Sequence, residues 1–545
     1  MAKAAAVLVV FLSSLFAVRS SFAMSGSGAY SSVGPPSPSS GLLPCLQGTG
    51  VRVVTQASDA ASFDTDRQVW NEKIQRNPAV IAYANVADQV QQVVRCGRQN
   101  NVQVSPRSGG HSYEGYSVED GTVLLDISGL DSLQVLDADH AVIGAGIKLG
   151  PLYLGLYQNG NRAFPAGVCP GVGAGGHLAG GGVGMLGRQY GLASDQIVAL
   201  DMVDASGNLI TADASNNSDL LFASQGGGGG SLGIVTSFTI KTYPAPAVTT
   251  IYQVNWDLND LEPVMTWWQK QAPSWPNELS SDFMAFSSNA QIAGNFAGSK
   301  ADLMAILNST GYQSLPSKQS EDFREMPYIN AALYNAVQSQ GLKPADDINS
   351  LGLGPGTSLS PRGYFKAKSQ IVTAPVSAAG IRSIKDAFAD QRGQGYWQAH
   401  AQGGAIGAVP NDATAYSHRD AIMIIQLMAT WTDPSKQDSA QGWLNNLYTS
   451  TLPYVASDAA YLNYIDADQA DWAQAYFGSN LPRLQQVKAK YDPDNYWDKP
   501  QGKPIAASIQ PAAASHFDMA EFEPSHWLQS TRERELKVRP RSQLG

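Results

Sequence analysis

The chain is 545 residues long and 43% hydrophobic, enough to bury more than one core, which excludes a short peptide-binding module and favours two or more domains. Its formal net charge is -10 and the body of the chain carries no basic patch, so nucleic acid is not expected as a partner. The one basic stretch, Arg532 to Arg541, alternates Arg and Lys with Glu and reads as a solvated part of the tail.

In chain order, Met-Ala-Lys, an apolar run over 4–18 and Ser20-Ser21-Phe22-Ala23 read as the three regions of a signal peptide over 1–23. The run holds 15 residues where a bilayer span takes about 20, and no later segment is long and apolar enough, so export without a membrane anchor is expected. A Ser/Gly/Pro-rich flexible leader follows over 24–44. Export permits disulfides, and there are three cysteines, Cys45, Cys96 and Cys169, which cannot all pair with one another. Cys45 and Cys96 suit a staple between the N-terminus and a helix in the body. Cys169 is then left over in the most glycine-rich part of the chain, where a lone cysteine is ordinarily a small buried hydrophobe.

Residues 45–245 show an α/β pattern: a helix over 87–100, a short strand over 102–104, and strands over 122–127, 141–145 and 233–240. From 246 to 455, strands over 249–254, 363–372 and 421–430 alternate with helices over 261–271 and 378–391, the pattern of a second domain built on a sheet. The segment 456–503 is rich in aromatics and closes on the turn chemistry of Asp492-Pro493-Asp494-Asn495. A tail over 504–545 lacks apolar periodicity, and no internal repeat is visible.

Three glycine clusters stand out: Ser108-Gly109-Gly110-His111, the stretch 167–191, and 226–230. Glycine lets backbone N–H groups turn toward a ligand and approach it closely, which suits a pyrophosphate cradle, although such clusters also make plain loops. Gly171-Val172-Gly173-Ala174-Gly175-Gly176 matches the dinucleotide fingerprint formally, but that fingerprint needs a strand before it and a helix after it. Pro170 precedes it and Gly180-Gly181-Gly182-Val183-Gly184 follows, so a Rossmann reading is rejected.

Ser105-Pro106-Arg107-Ser108-Gly109-Gly110-His111-Ser112-Tyr113-Glu114-Gly115-Tyr116 resembles the histidine-bearing FAD loop of berberine bridge enzyme-like oxidases. Gly167-Val168-Cys169-Pro170 through His177 resembles that family's cysteine-bearing loop. The glycines of 226–230 with Gly233-Ile234-Val235-Thr236 resemble its next signature, and Tyr476 through Asn495 its C-terminal motif. The resemblance implies an α+β fold: a VAO/PCMH-type FAD-binding domain, formed by 45–245 and the returning segment 456–503, with an inserted substrate domain of antiparallel sheet flanked by helices. It implies FAD attached covalently, His111 to the flavin 8α-methyl and Cys169 to ring carbon 6, which accounts for the leftover cysteine. Two tethers make the ring more electron-poor and keep an exported enzyme from losing its cofactor. Arg107, Ser108, Gly109, Gly110, Ser112, Tyr113, Val172, Gly173, Gly175, Gly176, His177, Gly181, Gly233, Ile234, Val235 and Asn495 are the further cofactor-binding residues so implied. No metal is expected.

The candidate catalytic groups are Tyr461, Tyr464 and His400. In relatives a Tyr-x-Asn motif approaches the flavin, and a tyrosine there takes the substrate hydroxyl proton while hydride passes to flavin N5. In Ala460-Tyr461-Leu462-Asn463-Tyr464-Ile465-Asp466, strand alternation points Tyr461, Asn463 and Ile465 to one face and Tyr464 to the other. Tyr461 is the candidate base so implied; a phenol near pKa 10 is a poor base at neutral pH, so it needs a nearby cation or hydrogen-bond donors that favour phenolate, and Lys366 or Lys368 are the cations expected to supply charge. Sugar-oxidising relatives place an acidic residue just before a Gly-Gly pair; this chain has His400-Ala401-Gln402-Gly403-Gly404, where His400 itself exchanges protons. In relatives the position three after the linked cysteine gates dioxygen, Val going with oxidase and Leu with dehydrogenase behaviour; here it is Val172. Trp256, Trp267, Trp268 and Trp397 are candidate stacking platforms for sugar rings, and equally candidate core. Asn216 and Asn308 head sequons that fit N-glycosylation of an exported protein.

The resulting expectation is a secreted oxidase that converts the anomeric hydroxyl of a mono- or oligosaccharide to a lactone and reduces dioxygen to hydrogen peroxide. Oxidation of a secondary metabolite or alcohol on the same scaffold is the alternative. A non-enzymatic flavin-bearing storage or surface protein is disfavoured, because both tethers and the candidate base occur together.

Overall fold

The computed structural model describes residues 40–339, 347–353, 361–389 and 394–503. The expected signal peptide, nearly all of the leader, and the tail with its basic stretch lie outside the described residues.

Helix Ala87–Gln99 forms where apolar residues recur at helical spacing, and it buries Val90, Val93, Val94 and Gly97. Cys96 on this helix is joined to Cys45 on helix Leu42–Gly48 with a Cα–Cα distance of 5.7 Å, the pairing expected from the sequence. The strand expected over 102–104 instead runs Val104–Arg107. Asn101 takes a left-handed conformation and the Val102 N–H returns to the Gly97 carbonyl, so Val102 closes the helix rather than joining the ladder.

Two larger sheets, with a two-stranded ribbon of Arg162–Ala163 and Tyr243–Pro244 beside them, form the first half. One has the order Arg52–Val54, Val80–Tyr83, Val123–Asp126, Val104–Arg107, with the last two pairings parallel. Every residue of Val123–Asp126 is buried, as a strand covered on both faces requires. The other is antiparallel, in the order Leu133–Val135, His140–Gly144, Ile234–Lys241, Ile197–Val203, Leu209–Asp213. Both feed one hydrophobic core, which also takes Tyr476, Phe477, Leu484 and Trp497 from the C-terminal segment.

A seven-stranded antiparallel sheet makes the second half, in the order Ser320–Met326, Thr249–Asp257, Asn289–Phe296, Leu279–Ala285, Gln394–Ala401, Met423–Trp431, Tyr364–Val372. The period of two separates its faces. Val254, Ile292, Phe283, Ala399 and Ile425 point into a second core shared with helices Leu261–Gln271, Ala378–Ala389 and Gln437–Thr451. Trp256, Trp267, Trp268 and Trp397 all belong to this core, so the expectation of sugar platforms is corrected: they fill the space between sheet and helices. Gln253, Asp282, Met284, Gln398, His400 and Gln426 point from the opposite face into a cavity. This is the α+β architecture expected from the sequence, with the sheet as one wall of the site.

Among the described residues no helix is long and apolar enough to cross a membrane.

Candidate active site

The cavity holds about 690 Å³ and lies between the polar face of the seven-stranded sheet, the three glycine-rich loops and the segment 461–465. The first two loops meet at glycines. A Cβ on Gly109 would fall 2.3 Å from the Gly173 amide nitrogen, and the Ser108 hydroxyl donates to the Ala145 carbonyl at 2.8 Å. In the third cluster Gly226, Gly228 and Gly230 have φ of 99°, 86° and 78°, which favours glycine, and the N–H groups of Gly226 and Gly228 both donate to the Ala179 carbonyl, tying this loop to the second. A short helix, Ala174–Ala179, does begin inside the second cluster, contrary to the sequence argument, although neighbouring sheets are not of the doubly wound parallel kind.

His111 stacks on Trp70 with centroids 4.7 Å apart and planes at 22°, and Trp70 is held by a hydrogen bond from its indole N–H to the Pro361 carbonyl at 2.8 Å. Burial, then Lys148 and His177, push the His111 pKa down to about 3, so its imidazole is neutral at physiological pH. His177 Nε2 accepts the Gly167 N–H at 3.0 Å, bracing the loop that carries Cys169, and burial pushes its pKa down to about 4. Cys169 lines the same cavity and lies outside the disulfide. Ser117 Oγ and Gln501 Oε1 line it too, buried and with no hydrogen-bond partner among the described residues. A glycine cradle, orphaned polar atoms along it and a nucleophilic His/Cys pair fit a dinucleotide cofactor with a flavin at one end.

All the residues expected at the site line this cavity except three. Arg107 points behind its loop into a buried ion pair with Asp126 at 2.6 Å. Gly181 makes room for Tyr461, whose Cε2 a Cβ there would approach to 3.0 Å. Asn495 is a left-handed turn residue, φ 52°, whose N–H returns to the Asp492 carbonyl.

The segment around the candidate base is not a strand. Tyr461 N–H donates to Ser369 Oγ, Tyr464 N–H returns to the Tyr461 carbonyl, and Leu462–Tyr464 forms a 3₁₀ turn. A spacing of three in such a turn puts both tyrosines on the cavity side, edge to face at 5.0 Å, rather than on opposite faces. Their hydroxyls differ in kind. Tyr461 Oη accepts from the Gly182 and Val183 N–H groups at 2.8 and 3.2 Å and from Asn463 Nδ2 at 3.2 Å. Tyr464 stacks on Tyr113 at 5.6 Å, and its Oη lies 2.9 Å from His400 Nε2. Burial, reinforced by Tyr113, Tyr461, Tyr396 and Asp282, holds the Tyr464 pKa well above the usual phenol value, so the phenol is the donor in this pair. His400 Nδ1 in turn lies 2.9 Å from Asp282 Oδ1, and Asp282 Oδ2 accepts from Gln398 Nε2 at 3.0 Å.

Lys366 and Lys368 do not serve Tyr461. Lys366 pairs with Glu114 at 2.5 Å and Asp466 at 2.6 Å, and Lys368 with Asp466 and Asp468 at 2.9 and 3.2 Å. Burial works against the Lys366 charge, but Asp466 and Glu114 outweigh it and raise its pKa. The two lysines tie the loop after His111 and the segment after Tyr464 to the sheet.

Trp70, Asp282, Gln398 and Gln426 escaped the sequence reading. A signal existed for part of this: Gln398, His400 and Gln402 alternate with apolar residues, as on a half-buried strand.

Residues 78–213 match the model of the FAD binding domain, and residues 460–503 match that of berberine and berberine like proteins. Berberine bridge enzyme-like 4 of Arabidopsis thaliana is 33% identical over 482 residues, covering 83% of this chain and 89% of that protein. The structure of glucooligosaccharide oxidase from Acremonium strictum, which carries a 6-S-cysteinyl, 8α-N1-histidyl FAD, superposes with a TM-score of 0.76 at 28% identity, over 85% of this chain and 100% of that one. Phl p 4, a grass pollen allergen with glucose dehydrogenase activity, superposes with a TM-score of 0.79 at 28% identity, over 85% and 99% of the two chains.

Proposed function

Because this chain belongs to the berberine bridge enzyme-like family of FAD-linked oxidoreductases, we propose that it is an exported carbohydrate oxidase holding FAD through His111 and Cys169, with Tyr464 as the group that receives the substrate's hydroxyl proton. The observation that carries the catalytic part is the Tyr464 hydroxyl facing the cavity with an imidazole acceptor 2.9 Å behind it. Tyr464 takes the proton of the substrate hydroxyl as its own proton moves to His400 Nε2, so no free phenolate is needed at rest. Tyr461, saturated by three donors, positions rather than exchanges protons. FAD, when bound, supplies the two-electron acceptor that dioxygen regenerates. The neutral imidazole of His111 and the Cys169 thiol, on loops locked together at Gly109 and Gly173, support attachment at two points, as in the glucooligosaccharide oxidase.

The amides of Gln253, Gln291, Gln398 and Gln426 line one wall of the cavity and suit a neutral polyhydroxylated substrate oxidised at its anomeric carbon to a lactone. The names of two structural neighbours, a glucooligosaccharide oxidase and a chitooligosaccharide oxidase, support this class. Val172 on the cavity wall supports dioxygen as the acceptor. In Phl p 4 an Asn-to-His variant is a glucose dehydrogenase, and adding an Ile-to-Val exchange gives a glucose oxidase. Export is supported by the Cys45–Cys96 disulfide, and Asn216 and Asn308, both exposed, are accessible to glycosylation. Met284, Met428 and Phe365 on the same wall favour the second reading, a partly apolar alcohol.

The experiment is an absorbance spectrum of the secreted protein before and after acid precipitation, then a peroxide-coupled screen of mono- and oligosaccharides beside hydroxylated aromatic alcohols. Yellow colour kept in the pellet with peroxide from sugars is the expected result. Peroxide from the aromatic alcohols alone transfers the proposal to the second reading, and colour lost to the supernatant overturns the two tethers.

A further inference from the structure

We infer that Asp282 is a positioning residue that makes a proton relay of Tyr464 and His400: it holds the imidazole in the one tautomer that leaves Nε2 open to the tyrosine, and it steadies the cation that forms there. The inference rests on the assignment of Tyr464 as the proton acceptor.

Backbone pairing brings the groups together. Asp282 on strand Leu279–Ala285 sits directly opposite His400 on strand Gln394–Ala401, so their side chains leave the sheet on the same face. Gln398, two residues before His400, shares that face and donates to one carboxylate oxygen at 3.0 Å, which leaves the other for His400 Nδ1 at 2.9 Å. A carboxylate only accepts, so the proton of the imidazole belongs on Nδ1 and the Nε2 lone pair faces the Tyr464 hydroxyl. The stack of Tyr464 on Tyr113, with planes 7° apart, fixes the other end of the chain.

The charges agree with this reading. Asp282 and His400 have side chains only 8% and 16% exposed, and among the described residues no Lys or Arg forms an ion pair with Asp282. The imidazole is therefore the cation this buried carboxylate is placed to meet. In the oxidation of a hydroxyl, the substrate O–H proton passes to Tyr464 Oη and the Tyr464 proton to His400 Nε2, giving an imidazolium beside the Asp282 carboxylate. The hydrogen of the breaking C–H bond leaves with both electrons of that bond, the two-electron equivalent that FAD, the acceptor of the family, would take up, and the substrate becomes a carbonyl compound. Once product leaves, the imidazolium returns its proton to Tyr464 Oη, which releases the proton taken from the substrate to solvent entering the cavity. A carboxylate at position 400 could hydrogen-bond the tyrosine directly; a histidine there needs a second residue to set its tautomer, and Asp282 supplies it.

The test uses the flavin-loaded full-length enzyme with 15N-labelled histidine, His400→Gln serving to assign the His400 signals. Expected is a wild-type His400 protonated on Nδ1. Asp282→Asn, whose amide donates where the carboxylate accepted, moves that proton to Nε2 and slows anaerobic bleaching of the flavin by about 100-fold with little change in substrate affinity. His400→Gln slows it at least as much, and the double variant is no slower than His400→Gln alone, as two residues acting as a unit require. A wild-type His400 protonated on Nε2 overturns the inference, as does an Asp282→Asn enzyme that bleaches at the wild-type rate or losses that multiply in the double variant. Should Asp282→Asn fail to fold, the wild-type tautomer and Gln398→Leu, which frees the second carboxylate oxygen and loosens Asp282, decide in its place: an Nδ1 proton and a slowed bleaching support the inference, and either one missing overturns it. The tautomer is read without substrate, so failure of the sugar screen leaves this result standing.

Discussion

Gly109 and Gly173 stand back to back: a Cβ on the first would lie 2.3 Å from the second's amide nitrogen, and a Cβ on the second 2.2 Å from Ser108 Oγ. His111 is two residues beyond the first glycine and Cys169 four before the second, so this contact sets the spacing of the two residues proposed to hold the flavin. Backbone cannot swing away as a side-chain end can, and the loops must part if either glycine gains a methyl group. Gly109→Ala is expected to lower stability by about 1–3 kcal/mol and to reduce the flavin that survives acid precipitation. Gly442→Ala, in a helix where a Cβ meets nothing within 4 Å, is the control and should stabilise by roughly 0.5–1 kcal/mol. Thermal melts and the ratio of flavin to protein absorbance check both.

The glycine loops were legible because their chemistry is local: a ligand cradle needs glycines next to one another in sequence. Helix 261–271 was legible for the same reason, its apolar spacing being complete within the segment, and it forms as Leu261–Gln271. What escaped was chemistry assembled across strands. Asp282 and His400 are 118 residues apart, and only the register of the sheet brings them together. Strand alternation explains Trp397, which is adjacent in sequence to Gln398 and points to the opposite side of the sheet, whereas Trp267 and Trp268 are buried from helix Leu261–Gln271. The misreading of 460–466 as a strand has a different cause. Strand alternation separates its two tyrosines, yet they are three residues apart, and the backbone groups find partners in a turn and in Ser369 instead of a neighbouring strand.

His177 should make the protein acid-sensitive. Burial holds its folded pKa at about 4, against an ordinary value of 6.5, so between those pH values the unfolded chain binds a proton that the folded one does not. Stability is therefore full above pH 6.5 and falls as the pH drops toward 4, by on the order of 3 kcal/mol. His177→Asn keeps an acceptor for the Gly167 N–H and removes the titration. The melting temperature of the wild type should fall more steeply than that of the variant from pH 6.5 to 4, and parallel curves would refute the assignment.

Val172 lines the cavity in the loop that carries Cys169. Its carbonyl accepts the Leu149 N–H at 2.9 Å, so the backbone is pinned and a larger side chain extends into the cavity. Val172→Leu is expected to slow the reaction of the reduced enzyme with dioxygen by tenfold or more, about the effect of 1.4 kcal/mol, while flavin bleaching by substrate stays within about twofold. Stopped-flow traces of the two half-reactions, recorded separately, give the answer. Unchanged oxygen kinetics would mean that dioxygen reaches its site by another side of the cavity.

Asp466 is the shared anion of a buried cluster, bonded to Lys366 at 2.6 Å and to Lys368 at 2.9 Å, and it lies two residues after Tyr464. Its N–H joins no strand ladder and donates instead to the Tyr476 hydroxyl, so the ion pairs carry much of the anchoring of this segment. Taking away one charge of a buried network leaves the others uncompensated, which costs about 3–5 kcal/mol, far more than an exposed pair is worth. Asp466→Asn should therefore destabilise the protein by that order and, by loosening the turn that presents Tyr464, slow flavin reduction in whatever fraction remains folded. Lys368→Met should do less damage to stability, since it also lets Asp466 give its whole charge to Lys366, whose second anion, Glu114, keeps the cluster closed. Urea titrations of the two variants rank the effects, and an Asp466→Asn protein as stable as the wild type would show the cluster to be held by its hydrogen bonds rather than its charges.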